Sequence, residues 1–271
     1  MSYDTAERSN YDAQPVALYS FQVGPNSWDY VNGEEEVYLA GVTYLPTNIT
    51  DNGETMSGEI ATDEFVVSIS KDANFVALFR ATPPSAEITL IVRHWNRGEP
   101  DSPVVGTYLV KAAKRTDEVS WDIVCRAYTV SLNRNGLRLG YGRYCPHALY
   151  DHNCQVDPNA YKVTGSIISL TGTSFNVSGI VGQVANYFAG GYFEWEWLPG
   201  VIERRAIETS NGSLIAVMGT TDGLALGTSI ALFPGCDRTT IMCNSRFSNI
   251  LNFGGFPHMP GKNPFDGKPV F

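Results

Sequence analysis

Period-two alternation constrains this chain more than any other feature, and it is sharpest in Phe193-Glu194-Trp195-Glu196-Trp197, where aromatic and acidic residues strictly alternate. In an extended strand that pattern buries the rings on one face and turns the carboxylates to water on the other. Looser versions, rich in β-branched and aromatic residues, predict strands over residues 16–23, 37–45, 65–70, 88–95, 106–114 and 119–132. Pro25-Asn26 makes a turn before Trp28 and Tyr30, giving a first hairpin. Further strands are predicted over 162–170, 174–181, 191–198, 202–209 and 214–218, the last two joined by Asn211-Gly212. One short helical insertion, capped by Asp72, runs through Phe75, Leu78 and Phe79 and stops before Pro83-Pro84. The fold class is therefore mainly β, an α+β arrangement with few short helices.

A chain of 271 residues exceeds the usual single domain of about 100 to 200 residues. The turn-rich stretch at Asn135-Gly136 and 140–142, where Cys, His and Asp become more frequent, divides it into domains 1–136 and 137–271. The formal charge of −9 offers no basic patch for neutralising phosphates; it suits ordinary solubility, and an acidic wall of this kind would let DNA pass without specific binding. Residues 1–14 are polar and carry no signal peptide or membrane span, which makes a reducing cytoplasm the expected place of folding. Five cysteines in that setting do not make a disulfide framework, and thiolate ligation becomes the question to test.

Cys125 shares a strand face with Val119, Trp121, Ile123 and Ala127 and is expected in the core, as a small soft hydrophobe. The other four form two pairs about eighty residues apart: Cys145 and Cys154 with eight residues between them, Cys236 and Cys243 with six. Four thiolates suit an iron–sulfur cluster, whose soft iron and bridging sulfides they complete. They also suit tetrahedral zinc, although structural zinc knuckles space their ligands more tightly, about two to four residues apart. Unligated or redox cysteines are the third reading. His147 and His152 flank the first pair and are expected outside the ligand set, and Gly235 is expected to leave room beside the Cys236 sulfur. Glu194 and Glu196 point to the same side of one strand, so they are a solvated face rather than the opposed acid and base of a glycosidase.

Several segments carry a more specific likeness. Leu137-Arg138 through Tyr141, Cys145-Pro146-His147-Ala148-Leu149-Tyr150-Asp151 with Cys154 and Val156-Asp157, Phe233-Pro234-Gly235-Cys236-Asp237 with Cys243, Phe247-Ser248-Asn249, Asn252-Phe253-Gly254-Gly255-Phe256-Pro257 and Pro260-Gly261 resemble the phage tail hub family, which includes the phage lambda minor tail protein L and the hub of gene transfer agents. Residues 137–261 carry most of it; the first half is similar only in general pattern. The resemblance implies a β-barrel-like hub domain followed by a β-rich iron–sulfur domain, with a [4Fe–4S] cluster on Cys145, Cys154, Cys236 and Cys243. It further implies a homotrimeric ring at the virion tail tip, assembled in the host bacterial cytoplasm, that joins the tail tube and distal tail protein to the central tip or fibre proteins and lines the DNA exit path. In that setting the cluster is a staple and the protein is not an enzyme. The competing expectations are a cluster-dependent oxidoreductase, a cysteine hydrolase pairing a thiol with His147 or His152, and a zinc-stapled structural module. No Gly-x-Gly-x-x-Gly turn or phosphate-cradling loop seats a nucleotide for redox chemistry, and a histidine two residues from a thiol on a turn is poorly placed as its base.

Overall fold

The computed structural model describes residues 8, 15–53, 64–80, 82–129, 136, 139–180 and 182–260. The chain divides into two compact units, Met1–Arg134 with Glu196–Glu203, and Asn135–Trp195 with Arg204–Phe271. Placing a single division at residue 136 missed the return of 196–203 to the first unit, which no local composition marks.

Among the described residues, the sheet of the first unit has nine strands: β1 (Pro15–Val23), β2 (Asn26–Val31), β3 (Val37–Leu39), β4 (Val42–Pro46), β5 (Ile49–Asp51), β6 (Glu64–Ser70), β7 (Thr89–Asn96), β8 (Val104–Arg115) and β9 (Ser120–Ala127). They form one sheet in the order β3-β4-β2-β1-β7-β8-β9-β6-β5. Most neighbours are antiparallel, and β2 with β4 is parallel. The strand expected over 37–45 is instead a hairpin, because Ala40 and Gly41 take positive φ of 50° and 86° and reverse the chain between β3 and β4. The reversal puts Tyr38, 73% exposed, and Tyr44, 4% exposed, in opposite environments, although their spacing in one strand would have paired them. The helical insertion is a 3₁₀ helix, Asn74–Phe79, preceded by Ala73 with no side-chain cap, so Asp72 does not have the capping role expected of it.

Phe75 from this helix stacks on Phe21 at 4.0 Å, and Tyr30 Oη accepts the Phe75 backbone N–H. Around them Tyr19, Val67, Leu90, Ile123 and Cys125 close the core. Full burial of each large apolar side chain contributes about 1.5 to 3 kcal/mol. Cys125 is fully buried as expected, and burial pushes its thiol up to about 12. Val119, expected on the same strand face, precedes β9 and is exposed. The predicted strand residues 130–132 lie outside the described residues.

Residues 196–203 complete this unit. Val201 is buried in the core, with Trp197 and Leu198 packed against it. Their turn meets the turn between β1 and β2: Asn26 Nδ2 donates to Pro199 O at 3.0 Å, and a Cβ on Gly200 would stand 3.0 Å from Pro25. Glu203, 4% exposed, accepts the Ser85 N–H at 2.9 Å and the Ser85 hydroxyl at 2.9 Å.

The second unit is built on β10 (Val163–Thr171), β11 (Ser174–Val177), β12 (Tyr192–Leu198), β13 (Val201–Asn211), β14 (Leu214–Val217) and β15 (Ser229–Phe233). These close as a barrel in the order β10-β11-β14-β13-β12-β15. Phe175, Phe193, Trp195, Ile207, Ile215 and Leu232 are buried in this unit. A barrel-like domain was expected in the first half, yet the closed barrel among the described residues is this one, while the first half is an open nine-stranded arrangement. Strand β15, which no alternation announced, closes the barrel by pairing with both β10 and β12. Glu194 binds Arg204 at 3.2 Å and Glu196 accepts the Gly200 N–H at 2.9 Å, ordinary work for the outer face of a strand pair.

Candidate functional site

The candidate site lies in the second unit, where two irregular segments bring four cysteines to one cavity. Asp151 organises the first. Its carboxylate accepts the backbone N–H of Ala148 at 3.2 Å and of Cys154 at 2.6 Å, which winds 148–154 into a closed turn. Tyr150 and Gln155 take left-handed φ of 69° and 60° at the bends. Cys154, Val156 and Phe247 pack together at the bottom, with Tyr150, Tyr161 and Met242 against them.

The second segment begins where β15 ends. Gly191 and Gly235 let two backbones cross here: a Cβ on Gly235 would strike Ala189 O, Gly190 C and Gly191 N. The room expected beside the Cys236 sulfur is thus room for residues 189–191 instead. After Cys236 the chain turns sharply through Arg238, at φ 64°, so that the Arg238 N–H donates to Cys236 Sγ at 3.3 Å. Asp237 accepts the Thr239 N–H at 2.8 Å, and Thr239 in turn caps helix α1 (Thr240–Ser245) by accepting the Met242 N–H at 3.2 Å. Helix α1 carries Cys243, and no sequence pattern predicted it.

Direct hydrogen bonds tie the two segments together. The Cys145 N–H donates to Arg238 O at 3.0 Å, and Asn249 Nδ2 donates to Cys154 O and approaches Cys154 Sγ at 3.8 Å. Cys243 Sγ donates to Asn249 O at 3.2 Å. Burial raises the thiols of Cys236 and Cys243, and the neighbouring cysteines raise both further, since thiolates crowded together repel. Cys236 and Cys243 thus resist ionising together unless a cation joins them.

Cys145, Cys154, Cys236 and Cys243 all line a cavity of about 150 Å³, whose wall also includes His147, Arg238 and Asn249. That is far more than the roughly 10 to 15 Å³ that admits one water. Among the described residues, no three His, Cys, Asp or Glu side chains converge closely enough to hold a single metal ion. A zinc ion would need all four sulfurs at about 2.3 Å from one point. Four thiols around one cavity are a donor set that either an iron–sulfur cluster or a zinc ion could use. Cys125 stands apart in the core of the first unit. His152 is exposed and away from the cavity wall.

The sequence likeness includes Asp151, Asn249 and the glycine pair Gly254-Gly255, but sequence reasoning assigned them no role. A Cβ on Gly255 would lie 2.7 Å from Tyr144 C and O and 2.8 Å from Arg143 O. A Cβ on Gly254 would meet the His147 ring. The two glycines therefore press the 143–147 segment into place next to Cys145. Leu137, Arg138 and Gly261 of the sequence likeness lie outside the described residues.

A family model described as "Phage conserved hypothetical protein BR0599" matches residues 186–263, the span holding the second cysteine pair. Among solved structures, a chain of the "Virion of native gene transfer agent (GTA) particle" superposes with a TM-score of 0.79, covering 100% of this chain and 99% of that one at 18% identity. The two chains share a fold. An uncharacterized protein of Xylella fastidiosa (strain 9a5c) is 22% identical over 186 residues, which is 63% of this chain. The match spans only 38% of that relative's length. No helix among the described residues is long and apolar enough to cross a membrane.

Proposed function

We propose that this chain is a structural protein of a phage or phage-like virion, a tail-tip hub whose four cysteines hold a [4Fe–4S] cluster as a staple. The observation that carries the proposal is the single cavity lined by Cys145, Cys154, Cys236 and Cys243, drawn from segments about eighty residues apart. Joining such distant segments through a bound group closes a long loop, and ligand binding of that kind adds directly to folding stability. When bound, the cluster would supply cross-linking and no chemistry that the particle needs. The chain's own part is to present four thiols, to aim the Arg238 N–H and the Asn249 amide at two of them, and to hold the second pair on a capped helix.

The family description and the fold shared with a gene transfer agent virion chain support the virion role. The hub role adds a homotrimeric ring that links the tail tube and distal tail protein to the tip or fibre proteins, around a path that DNA crosses without specific contact. The net charge of −9 suits that passage. Exposed apolar side chains supply contact surface: Leu251 is 96% exposed, Tyr141 81% and Ile241 78%.

Anaerobic purification with metal analysis and an absorbance spectrum tests the site. About four irons per chain with broad absorbance near 400 nm is the expected result. Stoichiometric zinc in a colourless protein would replace the cluster by a zinc staple and leave the virion role standing. For that role, Cys145→Ala or Cys236→Ala is expected to give insoluble protein or tailless, non-infectious particles, and normal infectious particles would refute the staple.

A further inference from the structure

His147 has a property that the ligand set does not use. Its ring lines the cysteine cavity, and its Nδ1 is buried with no hydrogen-bond partner. Leaving a buried polar atom unpaired costs about 1 to 3 kcal/mol. The ring's other edge is occupied: the atoms that a Cβ on Gly254 would meet are Nε2, Cδ2 and Cε1, so that edge rests on the Gly254 backbone and Nδ1 is directed away from it. Neighbouring sulfurs are already supplied with donors, Cys236 by the Arg238 N–H at 3.3 Å and Cys154 by the Asn249 amide at 3.8 Å.

We infer that His147 is a positioning residue whose Nδ1–H donates a hydrogen bond to a sulfur of the cofactor in the four-cysteine cavity. This inference rests on the cluster reading of that cavity. Its physical effect follows from charge. Donors aimed at cluster or thiolate sulfur stabilise the more negative, reduced state, so each one raises the reduction potential. The role is outside the ligand set: with four thiols available His147 binds no iron, and Gly254 fixes the ring by filling the space behind it. The glycine pair of Asn252-Phe253-Gly254-Gly255-Phe256 thereby gains a purpose, since a side chain at residue 254 would push the imidazole out of register.

The test compares three full-length proteins reconstituted anaerobically with iron and sulfide: wild type, His147→Leu and His147→Asn. The Asn Nδ2 lies the same number of bonds from Cβ as the His Nδ1, so it can restore the donor. The potential measured by redox titration is expected to move to a more negative value in His147→Leu and to stay at the wild-type value in His147→Asn. A His147→Leu protein with the wild-type potential overturns the inference, as does an Asn variant that shifts as far as the Leu variant. If His147→Leu takes up no iron, the wild type labelled with ¹⁵N-histidine decides: pulsed EPR of its reduced form is expected to show a nitrogen coupling, and no coupling overturns the inference. A wild type that binds no iron at all refutes the cluster reading itself, an outcome distinct from a loaded protein whose potential ignores residue 147.

Discussion

At the scale of single residues, the site depends on atoms that are absent as much as on those present. Gly255 touches the backbone of Arg143 and Tyr144 so closely that no side chain fits. Gly255→Ala is expected to cost about 1 to 3 kcal/mol in urea unfolding, the usual range for overpacking, and to lower the iron retained by the purified protein. Unchanged stability and iron content would show that the 143–147 segment moves aside freely. Cys125 gives a second test, in the opposite chemical direction. Its thiol, near 9 when exposed, is pushed up to about 12 by burial. The folded state thus keeps a proton that the unfolded chain releases above about pH 9, and stability falls between about pH 9 and pH 12. A Cys125→Ala variant loses this one term, so its melting temperature is expected to decline less steeply over that window than the wild type's. Iodoacetamide at pH 8 is likewise expected to leave Cys125 unmodified until the chain unfolds. The role of Cys125 was legible because period two assigns a face. The roles of Asp151 and Asn249 were not, because each acts through a turn whose geometry no local repeat encodes.

Among elements, the strands with strong alternation were read correctly, and the errors cluster where a turn or a weak pattern decides. β6, β7 and β12 carry clean alternation and lie within two residues of where it puts them. The 37–45 run looked continuous because Ala40-Gly41 keeps the alternation while reversing the chain, and β15 was missed because Ile230, Ala231, Leu232 and Phe233 are buried on both faces and do not alternate. Helix α1 is only six residues long, too short for a periodic signal, and its Thr239 cap is the one mark it leaves. The residues 196–203 are held by apolar packing and, at one end, by a buried carboxylate. Glu203→Ala would remove the carboxylate that accepts the Ser85 N–H and hydroxyl, and is expected to cost about 1 to 3 kcal/mol by urea unfolding, with Glu203→Gln milder because its amide oxygen still accepts. A Glu203→Ala protein as stable as the wild type would mean that the apolar contacts of Val201 and Trp197 hold this segment alone.

For the whole molecule, the surface is the part of the sequence that was hardest to read. Its tryptophans are buried or half-buried, and the exposed apolar area includes Leu251, Ile241, Tyr141 and Tyr144. If those side chains meet partners, Leu251→Glu and Ile241→Glu should leave the melting temperature unchanged while reducing incorporation into particles. Equal incorporation would move the contact elsewhere on the surface. The hub reading also sets an oligomeric expectation: light scattering of the iron-loaded chain should give three times its 29.7 kDa. A monomeric mass at high concentration would leave ring formation to the partners. One consequence of the fold reaches beyond any of these assays. Since Glu196–Glu203 belongs with the first unit, the polypeptide passes from one unit to the other at 134/135, 195/196 and 203/204. Neither unit is a contiguous cassette. Genetic exchange that swapped one of them for its counterpart would need three matched junctions.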